Sequence, residues 1–415
     1  MCEEDGMEEW KECKLGDLCI DNKGSYGIAA SAVPYSENLY TYLRITDIND
    51  DGTLNKSDLK SVADENAEQY ILQPNDIVFA RTGGSTGRNY FYDGSDGVFV
   101  YAGFLIKFSI DPSKVNPKYI KYFCLSQEYK NWVYSFNTGS TRGNINAQTY
   151  ANMPVILPPR SQQDLLVKTL SSLDDKIELN NKINTNLERQ TGALFKNWFV
   201  DFEPFGGKMP EGWKEIPLEE LCTVVTKGTT PTTLGKKFTD SGINFIKGES
   251  ILDNHTFDLQ KISHIDDETN LMLKRSIIQP NDILFTIAGT LGRFAFIDET
   301  LTPANTNQAV GIIRANPEII SPYYLYSFFI GNWHNDYYTK RIQQAVQANL
   351  SLGTIKSLPI IIPDSQNLDK YTSLVEPLFK KMKQLENENK ALSNLRDTLL
   401  PKLMNGEIEL DEVSK

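Results

Sequence analysis

Four short polar loops carry the residue types that recognise nucleic acid. Arg81-Thr-Gly-Gly-Ser-Thr-Gly-Arg88 and Thr286-Ile-Ala-Gly-Thr-Leu-Gly-Arg293 each follow a short apolar run that reads as a strand. Asn137-Thr-Gly-Ser-Thr-Arg-Gly-Asn144 and Arg341-Ile-Gln-Gln-Ala-Val-Gln-Ala-Asn349 each follow a stretch with a helical pattern. Arginine, asparagine and glutamine present paired edges that match guanine and adenine, hydroxyls bond phosphate, and glycine lets backbone N–H groups approach an anion. The expected DNA contacts are therefore Arg81, Thr82, Ser85, Arg88, Thr138, Ser140, Arg142 and Asn144 in the first half of the chain. Thr286, Thr290, Arg293, Arg341, Gln343, Gln344 and Asn349 are expected to serve the second half. Arg44 and Lys247, at matching strand positions, complete the set, although each reads equally as a surface charge. Turn chemistry alone explains any one such loop; four at matched sites favour DNA contact.

The net charge of −12 argues at first against a nucleic-acid partner. The acids, however, are unevenly spread. None lies between Asp76 and Asp93, from Tyr129 to Pro158, between Asp282 and Asp298, or from Tyr337 to Pro363, and each of these windows holds arginine or lysine. Local positive faces on an acidic protein are the expectation.

Catalytic sets are poor. Gly228 to Lys237 imitates a phosphate-binding loop, but six residues separate its glycines rather than four, and the final Ser/Thr is missing. Pro363-Asp364 with Glu388-Asn389-Lys390 imitates a nuclease set, yet those residues fall roughly 36 Å apart along one helical pattern at about 1.5 Å per residue. No methyltransferase glycine loop and no NPP[YF] motif is present, and His255, His264 and His334 have no metal-ligand spacing. We expect no catalytic residue and no metal. Five cysteines without a CxxC pair suit a reduced cytoplasm. The acidic opening MCEEDGMEEW is no signal peptide, and no apolar run is long enough to span a bilayer.

The elements that position these loops are written twice. Trp10-Lys11-Glu12 recurs as Trp213-Lys214-Glu215, Gln73-Pro74-Asn75-Asp76-Ile77 as Gln279-Pro280-Asn281-Asp282-Ile283, and Gly87-Arg88 as Gly292-Arg293, at offsets of 203 to 206. Each half begins with short apolar runs broken by turn signals: Tyr42–Ile48, Tyr70–Leu72, Ile77–Ala80, Val98–Phe108 and Val155–Leu157 in the first. Asn116–Ser135 and Ser321–Thr339 read as helices. The mixture predicts an α+β fold.

Each half ends in a long helical stretch. Its seam steps by four and three through Leu170, Leu173, Ile177, Asn184, Leu187 and Leu194, and again through Leu378, Met382, Leu385, Asn389, Leu392 and Leu399. Neither seam is wide enough to suit a broad core, so the two helices are expected to pair with each other as a coiled coil. Ser161 and Asp364 are the expected N-caps. The implied segments are 1–158 (domain one), 159–203 (central helix), 204–363 (domain two) and 364–415 (distal helix and tail).

Leu157-Pro-Pro-Arg-Ser-Gln-Gln163, Leu194-Phe-Lys-Asn-Trp-Phe199, Gly212-Trp-Lys214 and Leu399-Leu-Pro-Lys-Leu-Met-Asn-Gly406, within the double repeat, resemble the specificity subunit of a type I restriction-modification system. The second strand-to-helix junction departs from that pattern, since Ile362-Pro363-Asp364-Ser365 has one proline. The resemblance covers nearly the whole chain. It implies two target recognition domains, one per half of a split, asymmetric site in double-stranded DNA. It implies two antiparallel helices that set the gap, with an internal pseudo-two-fold. It further implies a non-catalytic subunit that recruits two methyltransferase subunits, which bring S-adenosylmethionine, and in the full complex two restriction subunits. A helix of roughly 58 Å suits such a spacer. Two rivals stand beside this reading: a protein-interaction scaffold without a DNA role, and a self-sufficient modification enzyme with a degenerate site.

Overall fold

The computed structural model describes residues 10–136, 143–333, 337 and 350–408. Two compact units divide the chain. One comprises Met1–Glu178 with Glu388–Lys415, the other Leu179–Asn387.

In unit 1 the antiparallel sheet runs Ser25–Tyr26, Leu105–Ser109, Asp76–Ala80, Asn89–Tyr92. A second sheet runs Ala32–Pro34, Lys60–Val62, Tyr40–Leu43, Phe99–Tyr101, with its last pair parallel. Lys11–Lys14 pairs with Pro154–Leu157 and so returns the chain to where the long helix begins. The central strand Asp76–Ala80 is buried along its whole length, as a strand covered on both faces must be. Phe79 stacks on Tyr150 at 4.7 Å, and Tyr119, Tyr122, Phe108 and Leu15 complete the core with no exposure.

Unit 2 repeats the plan. Its main sheet runs Cys222–Lys227, Val310–Ala315, Ile283–Thr286, Phe294–Phe296. A second sheet joins Ser263–Ile265, Ile243–Ile246 and Ala304–Thr306, again with one parallel pair. Lys214–Pro217 pairs with Pro359–Ile362. Asn75 and Asn281, in the repeated Gln-Pro-Asn-Asp turn, both take left-handed backbone at φ 74° and 71°, a conformation asparagine tolerates. The next residue is a buried carboxylate in each case. Asp76 accepts from the Gln73 amide at 2.8 Å and from Ser109 Oγ at 2.6 Å. Asp282 accepts from the Gln279 amide at 2.8 Å and from both Nε and Nη2 of Arg314 at 2.7 Å. A buried carboxylate needs such partners.

Both long helices are 40 residues, Arg160–Phe199 and Ser365–Met404. They run antiparallel in each unit. In unit 1, Leu166, Val167 and Leu170 share a core with Leu400, Leu403 and Met404. Asp174 accepts there from Arg396 Nη1 at 3.0 Å, Lys121 Nζ at 2.9 Å and Tyr122 Oη at 2.8 Å. Burial alone would raise the Asp174 carboxyl, yet these cations hold it below the usual range. In unit 2, Asn184 Nδ2 donates to the Met382 carbonyl at 3.3 Å, and Phe195, Trp198 and Phe199 meet Tyr371. All twelve seam residues are buried or half-buried, and Leu170 and Leu399, from opposite helices, join the same core of unit 1. Truncating the fully buried Leu170 to Ala would cost about 2–5 kcal/mol.

Local expectations need four corrections. The predicted Asn116–Ser135 helix is two, Pro117–Phe123 and Gln127–Tyr134. It breaks because the Ser126 hydroxyl takes the Tyr129 amide and starts the second piece. Tyr70 ends the 3-10 turn Ala67–Tyr70, and Ile71 makes only an isolated bridge to Val100 rather than a strand. Val98–Phe108 is two strands joined at Ala102-Gly103-Phe104. Ser161 lies inside the first helical turn and not at its cap, because the helix begins one residue earlier at Arg160. The expected cap Asp364 does accept the Asn367 amide at 2.9 Å. With further bonds from Asn367 Nδ2 and Trp213 Nε1, its carboxyl is held at about 2. The Ser321–Thr339 stretch forms a helix over Pro322–Ile330, capped by Ser321; most of the remainder lies outside the described residues.

Candidate nucleic-acid interface

Both strand-following loops share one backbone design. Gly83 and Gly289 take φ of 75° and 77°, and Gly87 and Gly292 take 89° and 85°. At Gly87 a side chain is doubly excluded, since a Cβ would also lie 2.5 Å from Val133. The arginine that ends each loop is held the same way. Arg88 donates from Nε to Asp50 at 2.7 Å and from Nη1 to the Ile48 carbonyl at 3.1 Å. Arg293 donates from Nε to Asp253 at 2.6 Å and from Nη1 to the Ile251 carbonyl at 3.1 Å. Arg44 is likewise engaged, donating to Asp47 from Nε at 3.0 Å and Nη2 at 2.6 Å. Lys247 lies over the Phe238 ring at 4.8 Å and 3.8 Å from Glu249.

Arg81 differs. Its guanidinium sits 4.9 Å from the centre of the Tyr26 ring, and among the described residues it has no carboxylate partner. Its neighbours form one edge of unit 1. The Arg81 amide donates to the Phe104 carbonyl at 3.1 Å, Thr82 bridges to the exposed Asn144, and the Ala147 amide donates to Tyr26 Oη at 3.1 Å. Ser85 is half-buried in the 3-10 turn Gly83–Ser85. In unit 2, Thr290 is exposed at the loop tip. Thr286 requires a correction: it is fully buried and presents no surface to a ligand. Its hydroxyl donates to the Thr290 carbonyl and accepts the Arg293 amide at 2.9 Å, so it closes the loop. Thr138, Ser140 and Arg142, with Arg341, Gln343, Gln344 and Asn349, lie outside the described residues.

Sequence reasoning missed Tyr26 and Phe104; Phe104 falls inside the unbroken apolar run Val98–Phe108. The small pair Ala102-Gly103 was the available turn signal. The phosphate-loop imitation is equally explained: a Cβ on Gly228 would lie 1.8 Å from the Thr306 carbonyl oxygen, so the backbone is packed there and not open to an anion.

Where the helix pair meets unit 2, a cavity of about 170 Å³ is lined by Glu188, His255, Tyr326, Lys383 and Glu386, among others. Burial, and then the nearby Glu386, push the Glu188 carboxyl up to about 7. Burial lowers His255. Lys383 donates to Glu386 at 2.8 Å and pairs with Asp298. Among the described residues, no group of three or more His, Cys, Asp or Glu side chains is placed to hold a metal, and no helix is long and apolar enough to cross a membrane.

Comparison with known proteins finds the family described as "Type I restriction modification DNA specificity domain" twice, over residues 7–189 and 210–394. The type I restriction enzyme HindI specificity subunit of Haemophilus influenzae is 24% identical over 480 residues, covering 97% of this chain and all of that protein. The MjaIX specificity subunit of Methanocaldococcus jannaschii is 27% identical over 316 residues, covering 71% and 70%. Among solved structures, the type I restriction-modification S subunit from M. genitalium shares the fold with a TM-score of 0.53 at 16% identity, covering 97% of this chain and 98% of that one.

Proposed function

The chain belongs to the type I restriction modification DNA specificity domain family, and from that premise we propose that it reads a split, asymmetric DNA site, one half-site per recognition domain. It performs no chemistry itself. It recruits two methyltransferase subunits, which bring S-adenosylmethionine for adenine methylation, and in the full complex two restriction subunits. The paired helices set the gap between half-sites. The work is that of a cytoplasmic protein.

One observation carries this reading: the same loop scaffold appears twice with different side chains on it. The arginine clamps superpose in role, Arg88 on Asp50 and Arg293 on Asp253. The positions that open the loop do not match. Arg81 and Thr82 in unit 1 stand where unit 2 has Ile287 and Ala288, as the equivalent amide bonds to the Phe104 and Ala309 carbonyls establish. Conserved framework with diverged tips is what two readers of different half-sites need. An acidic protein can do this if its partners supply much of the phosphate-neutralising charge.

The methylome of cells carrying the gene tests it. The expected result is one bipartite, asymmetric, adenine-methylated site that disappears when the gene is deleted. A continuous or palindromic site overturns the proposal. The purified chain alone, given S-adenosylmethionine, Mg²⁺ and DNA, should neither methylate nor cut; activity there would support the self-sufficient enzyme instead.

A further inference from the structure

Phe104 is an apolar side chain left in water on the edge of unit 1 that carries Arg81. It is 59% exposed, and Tyr26 beside Arg81 is 42% exposed. Exposed apolar residues scattered singly are ordinary, but this one is held rigidly. The Leu105 amide donates to the Ala102 carbonyl at 2.8 Å and closes the turn, and the Arg81 amide fixes the Phe104 carbonyl at 3.1 Å. Behind the turn, Gly27 packs so closely that a Cβ there would lie 2.3 Å from the Tyr101 and Ala102 carbonyl oxygens. The ring is thus presented from a fixed base, with little ordering left to do on contact.

We propose that Phe104 is a specificity-determining residue that packs on the 5-methyl group of a thymine in the half-site read by unit 1; this rests on the DNA-reading role above. The surroundings select that ligand. Arg81, Thr82 and the exposed Asn144 share the edge with Phe104, in windows of sequence free of acid. An anionic duplex is attracted there, and in the major groove the thymine methyl is the one apolar feature on a base edge. Stacking on a base face would first require opening a base step at a cost of a few kcal/mol, whereas the methyl is already on the surface. Unit 2 confirms that the position is free to vary. Its equivalent turn places Ala309 at the Phe104 site, next to an exposed Gln308 whose Oε1 accepts the Thr230 amide at 3.2 Å. One turn therefore offers a large apolar tip in one unit and a small one beside an amide in the other.

The test uses the full chain with its methyltransferase subunit. Its probes are short duplexes carrying the methylome-defined target, with each thymine replaced in turn by deoxyuridine. Removing the contacted methyl should weaken wild-type binding about fourfold at one thymine of one half-site. Phe104→Ala should bind the unmodified target about tenfold more weakly, melt at the wild-type temperature, and be indifferent to that same deoxyuridine; Phe104→Leu should regain part of the affinity. The proposal is overturned if Phe104→Ala binds like wild type, if no single deoxyuridine affects the wild type, or if Phe104→Ala changes only self-association in sedimentation. A wild-type complex that binds no duplex removes the DNA-reading role and this proposal together. Wild-type binding to the target that Phe104→Ala leaves unweakened removes this one alone.

Discussion

Arg88 grips Asp50 through two nitrogens, Nε at 2.7 Å and Nη2 at 3.3 Å, and so ties the glycine loop to the turn after Ile48. Arg293 and Asp253 repeat the grip in unit 2 at 2.6 and 2.7 Å. The third contact, Nη1 to a backbone carbonyl, is also the same in both units. An arginine spent in this way is a brace for the loop, with much of its hydrogen-bonding face turned inward.

Arg88→Ala should therefore act first on stability. Asp50 is exposed, so the ion pair itself contributes little. The lost carbonyl bond and the freed loop bring the expected cost to about 1 kcal/mol. Thermal melting of the variant checks this. An unchanged melt combined with strongly weakened DNA binding would show that Arg88 faces DNA instead.

Arg81→Ala should behave in the opposite way. With no carboxylate partner among the described residues, its truncation loses chiefly the contact with the Tyr26 ring, about 0.5–1 kcal/mol, and should lower the melting temperature by only a few degrees. Binding should fall about tenfold or more, with discrimination relaxed at one half-site only, as loss of a bidentate base contact of about 1–3 kcal/mol implies. Equal loss at both half-sites, scored on duplexes mutated in either half, would count against separate readers.

The repeat, the α+β class and the paired helices were legible because each rests on short-range signals. The seam from Leu170 to Leu194 announces its partner by period alone, and Asn75 announces its turn by residue type. The loop roles were less legible. Arg81 and Arg88 are the same residue seven positions apart, and only the fold brings Asp50 to one and Tyr26 to the other. Thr286 and Thr290 differ likewise: one is closed in beneath the loop and the other stands on it. Phe104 was hidden by hydrophobic continuity, since a tight turn through Ala102-Gly103 leaves an apolar run unbroken in sequence while reversing the chain in space.

If the helices set the gap, lengthening both should move it. Asn184 contacts Met382, so in an antiparallel pair the residue four before Asn184 faces the residue four after Met382. Inserting about four residues after Asn180 and about four after Leu385, which faces Asn181, adds one turn, roughly 6 Å, to each helix without breaking the pairing. The methylated site should keep both half-sites and gain roughly two base pairs of spacer at about 3.4 Å each. An unaltered spacer would falsify the ruler.

Glu188 should make unit 2 pH-sensitive. Its folded carboxyl titrates at about 7, against a usual value near 4.5, because it is buried and faces Glu386. Lys383 and His255 also line that cavity, but Lys383 is already engaged by Glu386 and Asp298, and burial keeps His255 from protonating readily. A raised folded pKa means that the folded state holds its proton after the unfolded chain has released it. Stability therefore falls as pH rises from about 4.5 to 7, and the full penalty persists above that. Glu188→Gln, neutral at every pH, should match wild type near pH 4.5 and exceed it by about 3 kcal/mol near pH 8. Denaturant melts of both proteins across that range check the sign. A Gln variant whose advantage is greatest at low pH would show that Glu188 is held ionised by Lys383 rather than neutral.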